Sequence, residues 1–281
     1  MLPTDAFDLH THSLRSDGHH TPAEVVGLAR EAGLAGLALT DHDTGDGIAE
    51  AERAGAELGL EVIPGTEFSA ELGGRSVHVL AYWHDPAEQV LAAELARLRD
   101  ARSDRARSIV ANLVALGVPV TFDRVVEIAA GAPLGRPHLA QAVVETGACA
   151  DEREVFDRYL ADGGPADAPK HAVDPVRAVE LLRGAGGVVV LAHPALFGAR
   201  DGGEEIPASV LGDMVDAGLA GVEARHPAHD GPAVERWTDL ARRHGLVVTA
   251  GSDHHGGERD TPVGAAVTGR DDVDRLRSLR P

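Results

Sequence analysis

The sequence predicts an α/β fold in which seven strand-and-helix units bring their strand ends to one rim, interrupted once by a helical insertion. Three observations predict it. Apolar runs near 6–10, 36–41, 61–65, 76–82, 187–192, 221–224 and 246–250 alternate with stretches of helical periodicity. Most of these runs carry or end in His, Asp or Glu. Between about 88 and 170 the alternation stops, and Leu91, Leu95, Leu98, Ile109, Val110, Leu113 and Leu116 keep helical spacing instead.

The first strand carries His10 and His12, two residues apart and so on one face, with Thr11 turned away and Asp17 in the following loop. Thr21, Pro22 and Glu24 form a cap, a first-turn proline and a capping-box acid ahead of Val25, Val26 and Leu28, and Gly33 marks the end of that helix. The adjacent His19 and His20 read as a solvated loop. The second strand ends in Thr40-Asp41-His42-Asp43. His42 is the ligand candidate there, and Asp41 either orients an imidazole or caps the loop. Glu67 follows Pro64-Gly65-Thr66, and its two oxygens could bridge two cations. His78 interrupts an apolar strand.

The insertion is read as helices over the apolar repeat that begins at Leu91 and over 122–130, 136–145 and 151–160, with Gly163, Gly164 and Pro165 as the exit turn. It divides the chain into a discontinuous unit, 1–87 with 171–281, and the inserted 88–170. Two short helices in succession resemble a helix-turn-helix but lack a strongly basic recognition helix. Arg136 opens one inserted helix, where its guanidinium could grip a phosphate or serve a surface ion pair. Downstream, His193 closes the fifth strand before Pro194, and Arg225, His226 and His229 follow the sixth. His226 and His229 are candidates to bind phosphate, and His226 to protonate a leaving oxygen. The last strand ends in Gly251-Ser252-Asp253-His254-His255-Gly256. Alternation sends Asp253 and His255 to one side and His254 to the other, so Asp253 and His255 are the chosen ligands, with His254 the competitor.

His10, His12, Asp17, His42, Glu67, His78, His193, Asp253 and His255 are six histidines and three carboxylates, too many for one ion and suited to two or three. Cys149 is the single cysteine, so a thiolate cluster is excluded and the site must use nitrogen and oxygen, as Mn, Fe or Zn accept. Such a site activates water without a protein nucleophile, which points to a metal-dependent hydrolase. The chain contains no GxxxxGK[ST], GxGxxG, GxSxG or HExxH motif, removing the usual support for nucleotide-driven, dinucleotide, serine-hydrolase and zincin chemistry.

The 281 residues, 43% apolar, suffice for a sizeable core. A formal charge of -19, with Lys170 the only lysine, argues against a long nucleic-acid groove but allows a small phosphorylated substrate at a locally positive metal site. With only 3% aromatic residues, binding of single strands by stacking has little to work with. No run approaches the roughly 20 apolar residues of a membrane span. The opening residues lack the regions of a secretory signal, so the expected location is cytoplasmic.

Asp8-Leu9-His10-Thr11-His12-Ser13 with Asp17-Gly18, Thr40-Asp41-His42-Asp43, Pro64-Gly65-Thr66-Glu67, Ala192-His193-Pro194 and Gly251-Ser252-Asp253-His254-His255-Gly256 together resemble the polymerase and histidinol phosphatase (PHP) family, in particular its small TrpH-like phosphoesterases. The resemblance implies a distorted (β/α)7 TIM-like barrel with a trinuclear centre. It places His10, His12, Glu67 and Asp253 on one ion, Glu67, His78 and His193 on a second, and Asp17, His42 and His255 on a third. Arg136 and His226 fall where such relatives contact phosphate. His254 departs from the Phe that relatives commonly carry. The implied activity is hydrolysis of a phosphomonoester on a small nucleotide, such as a nucleoside 3',5'-bisphosphate or a short 5'-phosphorylated oligonucleotide, by a metal-bridging hydroxide, with Glu67, His193, Asp253 and His226 as catalytic residues. The alternatives are a histidinol-phosphate phosphatase and, outside enzymes, a metal-stabilised nucleic-acid-binding module.

Overall fold

All seven expected strands form, and an eighth joins them in one sheet that curls into a nearly closed barrel. The computed structural model describes residues 5–161, 163–169, 172–197, 206–257 and 261–281; Lys170 and the expected 170/171 division lie outside them. The strands are β1 (Ala6–Thr11), β2 (Gly36–Leu39), β3 (Glu61–Leu72), β4 (Arg75–Tyr82), β5 (Val188–Leu191), β6 (Gly221–Arg225), β7 (Val247–Ala250) and β8 (Thr268–Gly269), in the spatial order β7-β6-β5-β4-β3-β2-β1-β8. The helices are α1 (Pro22–Glu31), α2 (Ile48–Leu58), α3 (Gln89–Ala115), α4 (Phe122–Ala129), α5 (Arg136–Glu145), α6 (Glu152–Val155), α7 (Pro175–Gly184), α8 (Ala208–Asp216), α9 (Gly231–Arg243) and α10 (Arg270–Ser278). None of the described helices is long and apolar enough to cross a membrane.

Closure falls to β1 and the segment after β7. Asp253 N donates to His10 O at 2.9 Å and His12 N to His254 O at 2.8 Å, so the last loop continues the sheet onto the first strand. The buried Asp8 carboxylate fastens the seam, accepting the amides of Ser252 and Gly264 at 2.9 and 2.8 Å. Burial pushes its pKa up, against the hydrogen bonds that lower it.

The strand-and-helix repeat fails in one place. β3 and β4 form an antiparallel hairpin turned by Gly73 and Gly74, whose φ values of +60° and +85° suit a two-residue turn of the kind that matches strand twist. No helix can fit in two residues, so β4 runs against both neighbours and β3 extends beyond the rim. The brief β8 was not foreseen, since two residues leave no periodicity to detect.

The α1 start forms as read: the Thr21 side chain accepts from Glu24 N, Glu24 reaches back to Thr21, and Gly33 follows in the left-handed region. The inserted helices also match, except that α6 is a single turn continuing into a π-helical turn, Phe156–Leu160. α3 has two packing partners. Its Leu91 and Leu98 join the barrel core around Phe68, Val79 and Leu182, whereas Ile109, Val110 and Leu113 pack with Val125, Leu139, Val143 and Leu160 in a separate apolar core. One continuous helix therefore fixes the inserted segment over the rim.

Candidate metal centre

The nine expected ligands converge, although they are spread from residue 10 to residue 255. Glu67, 1% exposed, is the hub. Its Oε2 lies 3.2 Å from His10 Nε2, His12 Nε2 and His42 Nδ1, and its Oε1 lies 2.8 Å from His78 Nδ1 and 2.9 Å from His193 Nε2. Asp253 Oδ1 approaches His10 and His12 at 3.3 and 3.2 Å, and Asp17 Oδ1 approaches His255 Nε2 at 3.4 Å. These donors fall into three overlapping groups: His10, His12, Glu67 and Asp253; His12, Asp17, His42 and His255; and His42, Glu67 and His78. The third group has His42 where the family resemblance puts His193.

Backbone geometry aims these side chains. Of the five described non-glycine residues with positive φ, Asp43, His193 and Asp253 stand at this rim, with φ of 52°, 24° and 54°. The left-handed conformation costs about 1 kcal/mol or more for a side chain with a Cβ. It turns the chain out of β5 and β7 sharply enough to bring His193 and Asp253 over the barrel mouth.

The donor set fits cations on an observation independent of any family. His10 Nε2, both ring nitrogens of His12, Asp17 Oδ1, His42 Nδ1 and Asp253 Oδ1 are buried without a hydrogen-bond partner among the described residues. Buried polar atoms ordinarily find partners, and divalent ions would satisfy the acceptors among these together, one nitrogen of each imidazole included. The charge balance agrees. Burial opposes ionisation, but the surrounding histidines outweigh it and hold Glu67, Asp17 and Asp253 well below the usual carboxylate range. Burial likewise disfavours imidazolium, yet the facing carboxylates raise His10, His12 and His193, and Asp17 with Asp253 push His255 up to about 10. At His42 burial wins and the pKa falls to about 3.

A ring of supporting groups fixes the ligands. Glu223, fully buried on β6, accepts from His10 Nδ1 at 3.1 Å and from the His193 backbone amide at 2.9 Å. Nδ1 of His10 is thereby the donor, leaving Nε2 for a cation. Sequence reading passed over Glu223, although an acid inside the apolar run of β6 was the available signal. Asp41 proves to be the loop cap, accepting from Ser13 N, Ser13 Oγ and Ser16 Oγ at 2.7 Å each. Asp43 accepts from Ser69 N and from Arg102 of α3, tying the His42 loop to the helix above it. His226 Nδ1 accepts from Ala228 N, and its Nε2 faces Asp253 Oδ2 at 3.3 Å, so its place in the structure is behind Asp253. The His229 ring lies 5.3 Å from that of His226, with Nδ1 donating to Ala224 O at 3.0 Å. Arg225 is exposed. His254 turns away from the centre, on the side expected although the backbone at Asp253 is left-handed and not extended, and donates from Nδ1 to Thr261 O at 2.8 Å. Its ring stacks on His20, which is therefore packed rather than free in a solvated loop.

A cavity of about 520 Å³ opens onto the cluster. Asp17, His42, Glu67, His78, His193, Asp253 and His255 floor it, and Arg75, Arg102, Arg105 and Arg136 line its walls. Arg136 donates to Leu160 O at 3.2 Å, with its guanidinium 5.9 Å from the Phe156 ring.

A PHP domain model matches residues 8–102. The chain is also 38% identical to a 3',5'-nucleoside bisphosphate phosphatase of Chromobacterium violaceum, across 92% of this chain and 90% of that one. The chain belongs to the PHP family. A second PHP relative, a phosphoribosyl 1,2-cyclic phosphate 1,2-diphosphodiesterase of Eggerthella lenta, is 35% identical over 89% of this chain and 94% of its own. Among solved structures, a chain of Bifidobacterium adolescentis assigned as a metal-dependent phosphoesterase superposes with a TM-score of 0.92 at 33% identity, covering 100% of this chain and 98% of that one. This PHP protein is a metal-dependent phosphoesterase.

Proposed function

We propose that the protein hydrolyses a phosphomonoester on a small phosphorylated nucleotide, with a nucleoside 3',5'-bisphosphate as the preferred substrate. One observation carries the reading: the cavity has the ligand cluster as its floor, four arginines on its walls and apolar surface from Phe156, Leu139 and Phe197 between them. Its volume lies in the range typical of small-molecule sites. The acids that line it, Asp17, Glu67 and Asp253, all sit in the ligand cluster, so the remaining wall favours anions. That disfavours histidinol phosphate, whose amine would enter beside arginines with no carboxylate left to meet it.

His10, His12, Asp17, His42, Glu67, His78, His193, Asp253 and His255 would hold two or three divalent ions, Mn, Fe or Zn, which when bound supply Lewis acidity and an acidified water. The protein's own side chains do the rest. Glu223 sets the His10 tautomer and the His193 backbone, and His226 holds Asp253 by its second oxygen. Arg136 and the free edge of Arg102 offer donors to phosphate oxygens, and α3, the start of α5 and Phe156 supply one wall of the cavity. Substrate consumption is to be measured by chromatography, side by side on adenosine 3',5'-bisphosphate, a ribose 1,2-cyclic phosphate and histidinol phosphate, with Mn(II) present. The highest kcat/KM is expected on the bisphosphate, and preference for either of the others overturns the proposal.

A further inference from the structure

We propose that Arg105 is a specificity-determining residue that reads a second, non-reacting phosphate and so selects substrates phosphorylated at two positions; the inference rests on the function proposed above. Arg102 and Arg105 line the same cavity from one helix, three residues or about 4.5 Å apart along its axis. Their anchors differ. Arg102 is held at the metal end, donating from Nε and Nη2 to Asp43, beside His42, and from Nη2 to Ser69, two residues beyond Glu67.

Arg105 stands at the outer end. It also lines a second cavity of about 420 Å³ with Glu71, Gly74 and Ser76 of the β3–β4 hairpin and Gly163, Asp167 and Pro169 of the exit turn. Glu71 is four residues up β3 from Glu67, or about 13 Å of extended strand. Arg105 Nε donates to Ala168 O at 3.0 Å and Nη2 to Asp167 Oδ1 at 2.7 Å, while Nη1 has no partner among the described residues. Asp167 is itself fixed by the amides of Gly163 and Ala168, and Asn112 donates to its backbone carbonyl. The guanidinium is thus preorganised on two edges and open on the third, in a wall where a bisphosphate anchored at the metal end would place its other phosphate. Glu71 and Asp167 line only the outer cavity.

The test is the ratio of kcat/KM on adenosine 3',5'-bisphosphate to kcat/KM on the 5'- and 3'-monophosphates, for the Mn(II)-loaded wild type and Arg105→Gln, Arg105→Lys and Asp167→Asn. The ratio is expected to drop about tenfold or more in Arg105→Gln, to drop less in Arg105→Lys, and to drop about twofold at most in Asp167→Asn, which keeps the guanidinium and its Ala168 anchor. If Arg105 only latched the exit turn to α3, Asp167→Asn would copy Arg105→Gln and both substrates would fall together; that result overturns the inference, as does an unchanged ratio in both Arg105 variants. Should Arg105→Gln fail to fold, Arg105→Lys and Asp167→Asn decide the matter by the same ratio. A wild type that prefers the bisphosphate, with the preference surviving in the Arg105 variants, sinks this inference alone. A wild type with no such preference sinks the proposed substrate and this inference with it.

Discussion

Replacing Glu223 by Gln tests whether the centre depends on a residue that touches no cation. The two Glu223 oxygens serve two donors, His10 Nδ1 at 3.1 Å and His193 N at 2.9 Å. An amide of the same size offers one oxygen and one NH2: with its oxygen at the Oε2 position it still accepts from His193 N and faces His10 Nδ1 at 3.2 Å, but its NH2 then stands 3.1 Å from that same Nδ1, and the reverse orientation sets the NH2 against the His193 amide. The backbone amide cannot yield. His10 can, by moving its proton to Nε2, the nitrogen 3.2 Å from Glu67 and 3.3 Å from Asp253. The cost therefore appears in cation affinity. Losing one charge-assisted hydrogen bond in a buried site is worth about 1.5–3 kcal/mol, or roughly 10- to 100-fold in apparent Kd. Mn(II) titration against a competing chelator gives that Kd, and kcat/KM measured against Mn(II) concentration shows whether excess metal restores turnover. An apparent Kd within about threefold of wild type would refute the orienting role, because such a change is well under 1 kcal/mol.

Gly251→Ala attacks the same support sterically: a Cβ there would stand 2.3 Å from His10 Cβ and 2.7 Å from Glu223 Oε1. Thermal unfolding should show a loss of about 1–3 kcal/mol, with a smaller upward shift on adding Mn(II) than in wild type. Metal uptake should release protons. His10, His12, His193 and His255 are raised above their ordinary values by the carboxylates that outweigh burial, and must shed protons to bind, so affinity should rise with pH over that range; calorimetry in buffers of different ionisation enthalpy would detect the release, and its absence would contradict the charge balance. His84 governs acid stability at the opposite end of the barrel. Burial lowers its pKa from 6.5 to about 4, so the unfolded chain takes up the proton first and stability is lost as pH falls between those values. Denaturant unfolding of the metal-free protein at pH 7.5 and pH 5 should show wild type losing about 2 kcal/mol more than His84→Leu.

The sequence alone determined seven of the eight strands, most helix limits and the nine candidate ligands, because strand alternation and helix caps are written in neighbouring residues. His10 and His12 share a face whatever the rest of the chain does. Spacing could not say which faces would meet. That Glu223 lies behind His10, that His226 turns to Asp253, that Arg102 reaches Asp43, and that β4 reverses on a glycine pair all depend on how the barrel closes. These contacts join residues up to 213 positions apart. A local pattern fixes the direction of a side chain relative to its own strand, but only closure of the sheet sets what stands at the other end of that direction.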